Sequence, residues 1–232
     1  MQMEKYQRKI ITTKDGSHSL FIPEIDETYH STKGAEKESQ YIYIDHGLLL
    51  VAESEEPIEV LEIGMGTGLN ALLSFEFSLN NAQAIQYTTV EPYPISRDQI
   101  RELNYTEERE DSSTDFFDQI HDIGFGVKHT TGDHFEFEKF NMTLEEYSPP
   151  KGHFDVVFYD AFAPSKQAEI WAKPLLQKVY DAMKEGALLT TYCAQGQFKR
   201  DLRDIGFRVE NPEGPMGKKE MTIAWKPESA IC

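Results

Sequence analysis

Three glycines within five residues, Gly64, Gly66 and Gly68, set between an apolar run and a helix-like pattern, constrain this chain more than any other stretch. Ile58 to Ile63 is a short apolar run of buried-strand type, and an apolar helical pattern resumes at Leu69. Glycine lets a backbone turn sharply and lets a ligand come close to the main chain, since there is no Cβ in the way. The helix that follows aims unpaired N–H groups at whatever lies over the turn. The spacing is G-x-G-x-G. It is neither the dinucleotide G-x-G-x-x-G nor a phosphate loop ending in Lys-Ser/Thr. Glu62 stands just before the first glycine, and Glu91 follows the next apolar run, Tyr87 to Val90. An acid at the end of the second strand is where a doubly wound sheet grips ribose hydroxyls. Such a site without a phosphate-binding loop suits a nucleoside carrying no pyrophosphate, with S-adenosylmethionine the leading candidate. The alternative is a glycine-rich turn in some other α/β protein.

Upstream, Lys9–Thr13 and Ser17–Ile22 flank Asp15-Gly16 and form a β-hairpin pattern. The polar stretch 26–39 carries Tyr29, His30 and Lys33 among few apolar residues, which predicts a solvated loop or short helix. Tyr41–Ile44 and Leu48–Val51 resemble a second hairpin around Asp45-His46-Gly47. Residues 1–52 are thus expected as a β-hairpin extension packed on a main domain, 53–232. From Ile58 strand and helix patterns alternate, which argues for a mostly parallel sheet with helices on both faces. Helices are expected at 69–81, 95–104, 114–122, 168–185 and 197–205. Strands are expected at 58–63, 86–90, 126–130, 155–159, 188–192, 207–210 and 221–225, the last two pairing antiparallel. Seven such strands make a doubly wound, Rossmann-like α/β fold of the class I S-adenosylmethionine-dependent methyltransferase type, whose ligands sit outside the carboxyl ends of the strands. The charged run Glu107–Asp111 reads as a solvated linker.

The net charge of −17 on 232 residues is unevenly spread: from Asp160 onward there are 11 Lys and Arg against 10 Asp and Glu, and before it 12 against 30. Phosphate contacts need local positive charge, which the last third alone supplies. No run of eighteen apolar residues predicts a membrane span, and the N-terminus lacks a signal-peptide core. Cys193 and Cys232, the only cysteines, are too few for a disulfide framework or a cysteine-based metal site. A cytoplasmic protein without metal or membrane partner is the expectation.

Among residues that carry chemistry, Asp133 follows the strand expected at 126–130, beside His134. It is either an acceptor for an adenine amino group or the N-cap of a short helix. Asp160 ends the apolar strand Phe154–Tyr159 ahead of a turn containing Pro164, beside the presumed cofactor methyl; the alternative is a turn-forming aspartate. Methyl transfer from a sulfonium is a direct displacement, to which an enzyme contributes mainly positioning. Carbon and oxygen nucleophiles usually need a strong base or covalent attack. An amine needs only to be held neutral, and Asp160 suits binding its ammonium form and taking a proton. Trp171 and Tyr192 are either pocket walls or core. Lys199-Arg200 with Arg203, and Lys218-Lys219, are either solvent-facing charge or contacts to the phosphates of a nucleic acid.

Several segments together resemble one known family: Gly64-Met-Gly-Thr67-Gly-Leu-Asn70, Asp160-Ala-Phe162-Ala-Pro-Ser-Lys166 with Glu169-Ile-Trp171, Thr191-Tyr192-Cys-Ala-Gln-Gly196 with Lys199-Arg200, and Gly217-Lys-Lys-Glu-Met221. Residues 15–21, 29–35 and 38–39 add to the likeness. The chain resembles the tRNA 5-methylaminomethyl-2-thiouridine methyltransferases, in their stand-alone form without an FAD-dependent oxidoreductase domain. The resemblance implies methylation of the aminomethyl group on a modified wobble uridine of tRNA, with Asp160 as active-site aspartate and no FAD. Cofactor contacts are then expected from Glu62, Gly64, Gly66, Thr67, Gly68, Asn70, Glu91, Asp133 and His134. Substrate contacts are expected from Tyr29, His30, Lys33, Phe162, Lys166, Tyr192, Lys199, Arg200, Lys218 and Lys219. The alternatives are a small-molecule amine methyltransferase or aminopropyltransferase on the same fold, and a non-catalytic nucleoside-binding protein.

Overall fold

The structure, a computed structural model, describes residues 6–52 and 56–228. Residue 53, expected to open the main domain, and Cys232 lie outside them. In chain order the strands are β1 (Lys9–Thr12), β2 (His18–Ile22), β3 (Glu27–Thr28), β4 (Ile58–Ile63), β5 (Ile85–Val90), β6 (His129–Thr131), β7 (Phe135–Phe140), β8 (Phe154–Tyr159), β9 (Met183–Thr191), β10 (Arg208–Glu210) and β11 (Thr222–Trp225). The α-helices are α1 (Ala35–Ser39), α2 (Leu69–Asn81), α3 (Arg97–Arg101), α4 (Asp111–Asp122), α5 (Lys173–Ala182) and α6 (Gly196–Ile205).

The first three strands form a small antiparallel sheet. The other eight make one sheet in the order β10-β11-β9-β8-β4-β5-β7-β6, parallel from β9 to β7 and antiparallel at both edges. This is the mostly parallel, doubly wound fold expected. The central strand β4 is buried along almost its whole length, as a strand covered on both faces must be. Its alternate residues feed two cores. Ile58 and Val60 join Leu72, Phe75, Tyr87, Phe116 and Phe137 on one face, while Leu61 and Ile63 join Val157, Tyr159, Leu176 and Leu202 on the other.

Four expectations are corrected. The strand placed at 126–130 is instead the edge strand β6, and the parallel neighbour of β5 is β7, whose alternating Phe135-Glu-Phe-Glu-Lys-Phe140 buries every second residue. The helix placed at 168–185 is a 3₁₀ turn at Ala168–Trp171, then α5 with Pro174 in its first turn, then β9 from Met183. Proline fits the first turn of a helix and not its interior, so the helix starts there. Residues 41–51 are no hairpin: Gln40–Asp45 is a π-helix continuing α1, followed by a 3₁₀ turn at Leu48–Leu50. This apolar segment lies across a sheet face, with the Thr190 hydroxyl donating to the Ile42 carbonyl at 3.0 Å. The run 107–111 is not a free linker either. Arg109, its side chain 14% exposed, pairs with Glu36 and Glu76 and donates to the Tyr105 carbonyl.

Candidate active site

The parallel strands end side by side, and each end delivers one functional group to the same cavity. β4 runs into the glycine bend, where Gly64 (φ +94) donates its N–H to the Val90 carbonyl at the end of β5. A Cβ at Gly64 would stand 2.5 Å from the Asp160 carbonyl, so only glycine lets the ends of β4 and β8 close together. Gly66 (φ +52) donates its N–H to Glu91 Oε2 at 2.9 Å, and Tyr93 donates to Oε1 at 2.7 Å. Burial pushes the Glu91 carboxyl up from its usual pKa, while these two amides pull it back toward the charged form. Each oxygen keeps acceptor capacity, as ribose hydroxyls require.

Asp160 follows β8, its N–H donating to the Ile63 carbonyl at 3.0 Å. Asn70, in the first turn of α2, donates from Nδ2 both to Asp160 Oδ2 at 2.9 Å and to Glu62 Oε1 at 3.0 Å. Burial raises the Asp160 pKa to about 7, against the lowering pull of Tyr43 and Asn70. Burial raises Glu62 to about 8, and the Asp160 charge adds to the shift. The Tyr87 and Thr89 hydroxyls interact with Glu62 without a directed hydrogen bond.

The strand ends and the N-terminal sheet enclose a cavity of about 290 Å³. Tyr29 and His30, just after β3, form part of its wall. The Tyr29 ring rests on the glycine bend, 3.1 Å from where a Gly66 Cβ would be, and packs edge-on against Phe162 with ring centres 5.1 Å apart. His30 is bonded to Ser19, and burial drops its pKa to about 4, so it is neutral. Tyr192 lines the cavity and donates to the Ala161 carbonyl at 2.7 Å. The segment 26–39, expected as a solvated loop or short helix, thus gives the cavity wall its two ends, residues 27–31 and 38–39. Six carboxyl side chains line the cavity, those of Glu27, Glu38, Glu91, Glu145, Asp160 and Glu169, against one lysine, Lys218. That lysine is itself paired with Glu38 and lies 5.6 Å from the Tyr192 ring centre. The chamber is built for cationic ligands.

Of the expected cofactor residues, Gly64, Gly66 and Glu91 line the cavity. Glu62, Thr67, Gly68 and Asn70 lie beneath the bend and off its wall, with Glu62 fully buried. Asp133 and His134 are misplaced. They sit exposed in the β6–β7 turn, at the amino ends of the strands, where the His134 carbonyl accepts from Ile85 at the start of β5. The carboxyl end of the true third strand instead offers Thr143, Leu144 and Glu145 to the cavity. The alternation of residues 135–140 was the signal that would have found them.

Among the expected substrate residues, Tyr29, His30, Phe162, Tyr192 and Lys218 line the cavity. Lys33 and Lys166 lie off its wall, donating to the Met216 and Ile25 carbonyls. Lys199 pairs with Glu220, Arg200 is held by Gln197, and Lys219 is exposed. Trp171 is core, 5% exposed, and donates to the Phe162 carbonyl. Glu38 and Tyr43 are wall residues that residue-type reasoning missed.

Comparison with known proteins agrees with this geometry. Residues 134–227 match a family described as S-adenosyl-L-methionine-dependent methyltransferase. The tRNA 5-methylaminomethyl-2-thiouridine biosynthesis bifunctional protein MnmC of Leptospira interrogans is 27% identical over 221 residues, covering 90% of this chain and 34% of that one. The protein of the same name from Pseudoalteromonas atlantica is 27% identical over 214 residues, covering 84% and 30%. The chain thus spans about a third of the length of the curated relatives it matches. Among solved structures, MnmC2 from Aquifex aeolicus superposes with a TM-score of 0.80 at 21% identity, over 98% of this chain and 72% of that one. Spermidine synthase from Thermotoga maritima shares the fold, with a TM-score of 0.61 at 19% identity, over 100% and 73%. No helix among the described residues is long and apolar enough to cross a membrane. The glycine bend and the strand-end acids agree with the match of residues 134–227 to S-adenosyl-L-methionine-dependent methyltransferases, and over most of its length the chain is similar to the MnmC proteins.

Proposed function

We propose that the protein methylates the aminomethyl nitrogen of a modified wobble uridine in tRNA, converting 5-aminomethyl-2-thiouridine to its 5-methylaminomethyl form. The observation that carries this reading is the position of Asp160: its buried carboxyl lines an acidic cavity beside the glycine bend. The residues fit the cofactor, since the bend at Gly64 and Gly66 lines the cavity and Glu91 beside it keeps acceptor capacity for ribose hydroxyls. When bound, S-adenosylmethionine would supply the methyl group, and Gly64, Gly66 and Glu91 would hold its nucleoside. Asp160 holds the acceptor amine and takes up the proton released as the nitrogen is alkylated. A primary alkyl amine has a pKa of about 10, so the nucleophile comes from its neutral fraction, and the acidic wall concentrates the amine at the site.

The tRNA phosphates cannot share so acidic a chamber. Their contacts belong on the outside, with Arg200, Arg203 and Lys219 among the exposed cations of the C-terminal third. We assign the protein to the cytoplasm, where its tRNA substrate is found. Incubation with methyl-labelled S-adenosylmethionine and tRNA bearing 5-aminomethyl-2-thiouridine is expected to label the tRNA. An unlabelled tRNA, with label entering polyamines or other small amines, would overturn the assignment.

A further inference from the structure

Among the described residues of the cavity wall, two buried hydroxyls lack a hydrogen-bond partner, those of Ser39 and Tyr43, and the second neighbours Asp160. Tyr43 is 2% exposed, its ring packs on Phe158 at 5.1 Å between centres, and its hydroxyl makes no aligned hydrogen bond. Tyr43 lines the cavity, and its hydroxyl and the Asp160 carboxyl are near enough to act on each other. A buried hydroxyl left unsatisfied is costly, and phenylalanine would pack as well without the cost. Tyr87 also has an unpaired hydroxyl, but it lies over Glu62, off the cavity wall. Tyr43 differs from it in a second way, because it is presented by the π-helix Gln40–Asp45. Such turns are rare and recur at functional sites, since they re-aim a side chain that a regular helix would point elsewhere.

We propose that the Tyr43 hydroxyl and the Asp160 carboxylate form a two-acceptor cradle that holds both N–H bonds of a primary amine and so limits the protein to a single methyl transfer. The inference rests on the function proposed above. A neutral primary amine has two N–H bonds and one lone pair. With one N–H on Asp160 and the other on the Tyr43 oxygen, the lone pair has a single direction left, toward the sulfonium methyl over the glycine bend. The lone pair forms the N–C bond as the S–C bond breaks, and that electron pair stays on sulfur. The secondary ammonium so formed gives one proton to Asp160, which releases it to solvent. The product has one N–H and one N-methyl. To react again it would have to place the methyl against one of the two acceptors, leaving a buried oxygen unpaired. Burial beside Asp160 keeps the Tyr43 hydroxyl protonated, with its oxygen lone pairs free for the amine.

Two acceptors test this, tRNA carrying the aminomethyl nucleoside and tRNA already carrying the methylaminomethyl nucleoside, with products read by mass. The wild type is expected to methylate the first once and to leave the second untouched. Tyr43→Phe is expected to bind S-adenosylmethionine as tightly as the wild type by calorimetry and to lose about tenfold in kcat on the primary amine, the loss of one hydrogen bond. The same variant should now convert the secondary amine, so that the dimethylated nucleoside accumulates. A Tyr43→Phe protein with wild-type kcat and strictly one methyl per acceptor would overturn the proposal, as would a wild type that readily methylates the secondary amine, whatever the variant's stability. A wild type that labels neither tRNA overturns the underlying function and this inference with it.

Discussion

The side-chain amide of Asn70 donates to the Asp160 carboxylate at 2.9 Å, and with its other hydrogen it reaches the buried Glu62. One NH₂ group thus holds two carboxyls, the fully buried Glu62 and the cavity-lining Asp160. Asn70→Leu is expected to lower stability by about 1–3 kcal/mol, the cost of leaving a buried polar group unpaired. Because the Asn70 bond pulls the Asp160 pKa down, its loss should move the acidic limb of kcat/KM above about 7. Thermal unfolding and a pH–rate profile check the two effects separately.

Asp160→Asn keeps the shape of the site and removes the proton acceptor. Its affinity for S-adenosylmethionine, measured by calorimetry, should stay near that of the wild type, while single-turnover methylation slows by roughly 10²–10⁴-fold. In the wild type, kcat/KM should rise with pH through about 7 as Asp160 ionises, under the influence of Tyr43, Glu38, Lys218 and Glu62 around it. An unchanged rate in the variant would remove Asp160 from the chemistry.

Glu62 gives stability a pH dependence of known sign. Its folded pKa, about 8, lies above the ordinary 4.5, so between these values the folded state holds a proton that the unfolded chain has lost. Its contribution is intact below about 4.5 and is lost as pH rises toward 8, at up to about 1.4 kcal/mol per pH unit. Glu62→Gln removes the charge, so its stability relative to the wild type should climb between pH 5 and pH 8.5. Denaturant unfolding at the two pH values measures the difference; a constant gap would show that Glu62 does not titrate in this range.

Gly66→Ala places a methyl group 3.1 Å from the Tyr29 ring, on a backbone at φ +52 that alanine adopts at a cost of about 1–2 kcal/mol. The variant should still fold, with a lower unfolding temperature, and should bind S-adenosylmethionine at least about tenfold more weakly, the equivalent of about 1.4 kcal/mol. Calorimetry on the folded variant reads the second effect free of the first.

The core of the fold was legible because local pattern and tertiary role coincide there. Ile58–Ile63 and Leu69–Asn81 fall where the apolar periodicity puts them, with the glycine bend between. Glu91 and Asp160 could be found because they are the first residues past strands whose burial was plain in sequence. The β6–β7 region failed for a specific reason. Gly132-Asp133-His134 resembles a strand-end signature, yet Gly132 at φ +61 makes it the turn of an edge hairpin, which sends Asp133 to the wrong end of the sheet. Tyr41-Ile-Tyr-Ile44 alternates as a strand would, yet it continues α1 as a π-helix laid against the sheet, a tertiary packing that local alternation does not reveal. Tyr43 and Glu38 were hidden for that reason: their importance comes from what they face across the cavity, which no local pattern records.

Lys218 and Glu38 join across that cavity, 180 residues apart along the chain. A nascent polypeptide can make the bend, the strands and the helix around them well before residue 218 emerges from the ribosome. Its chamber stays open on one side until then. The segment around Lys218 is thus a latch, without which the chamber wall stays incomplete.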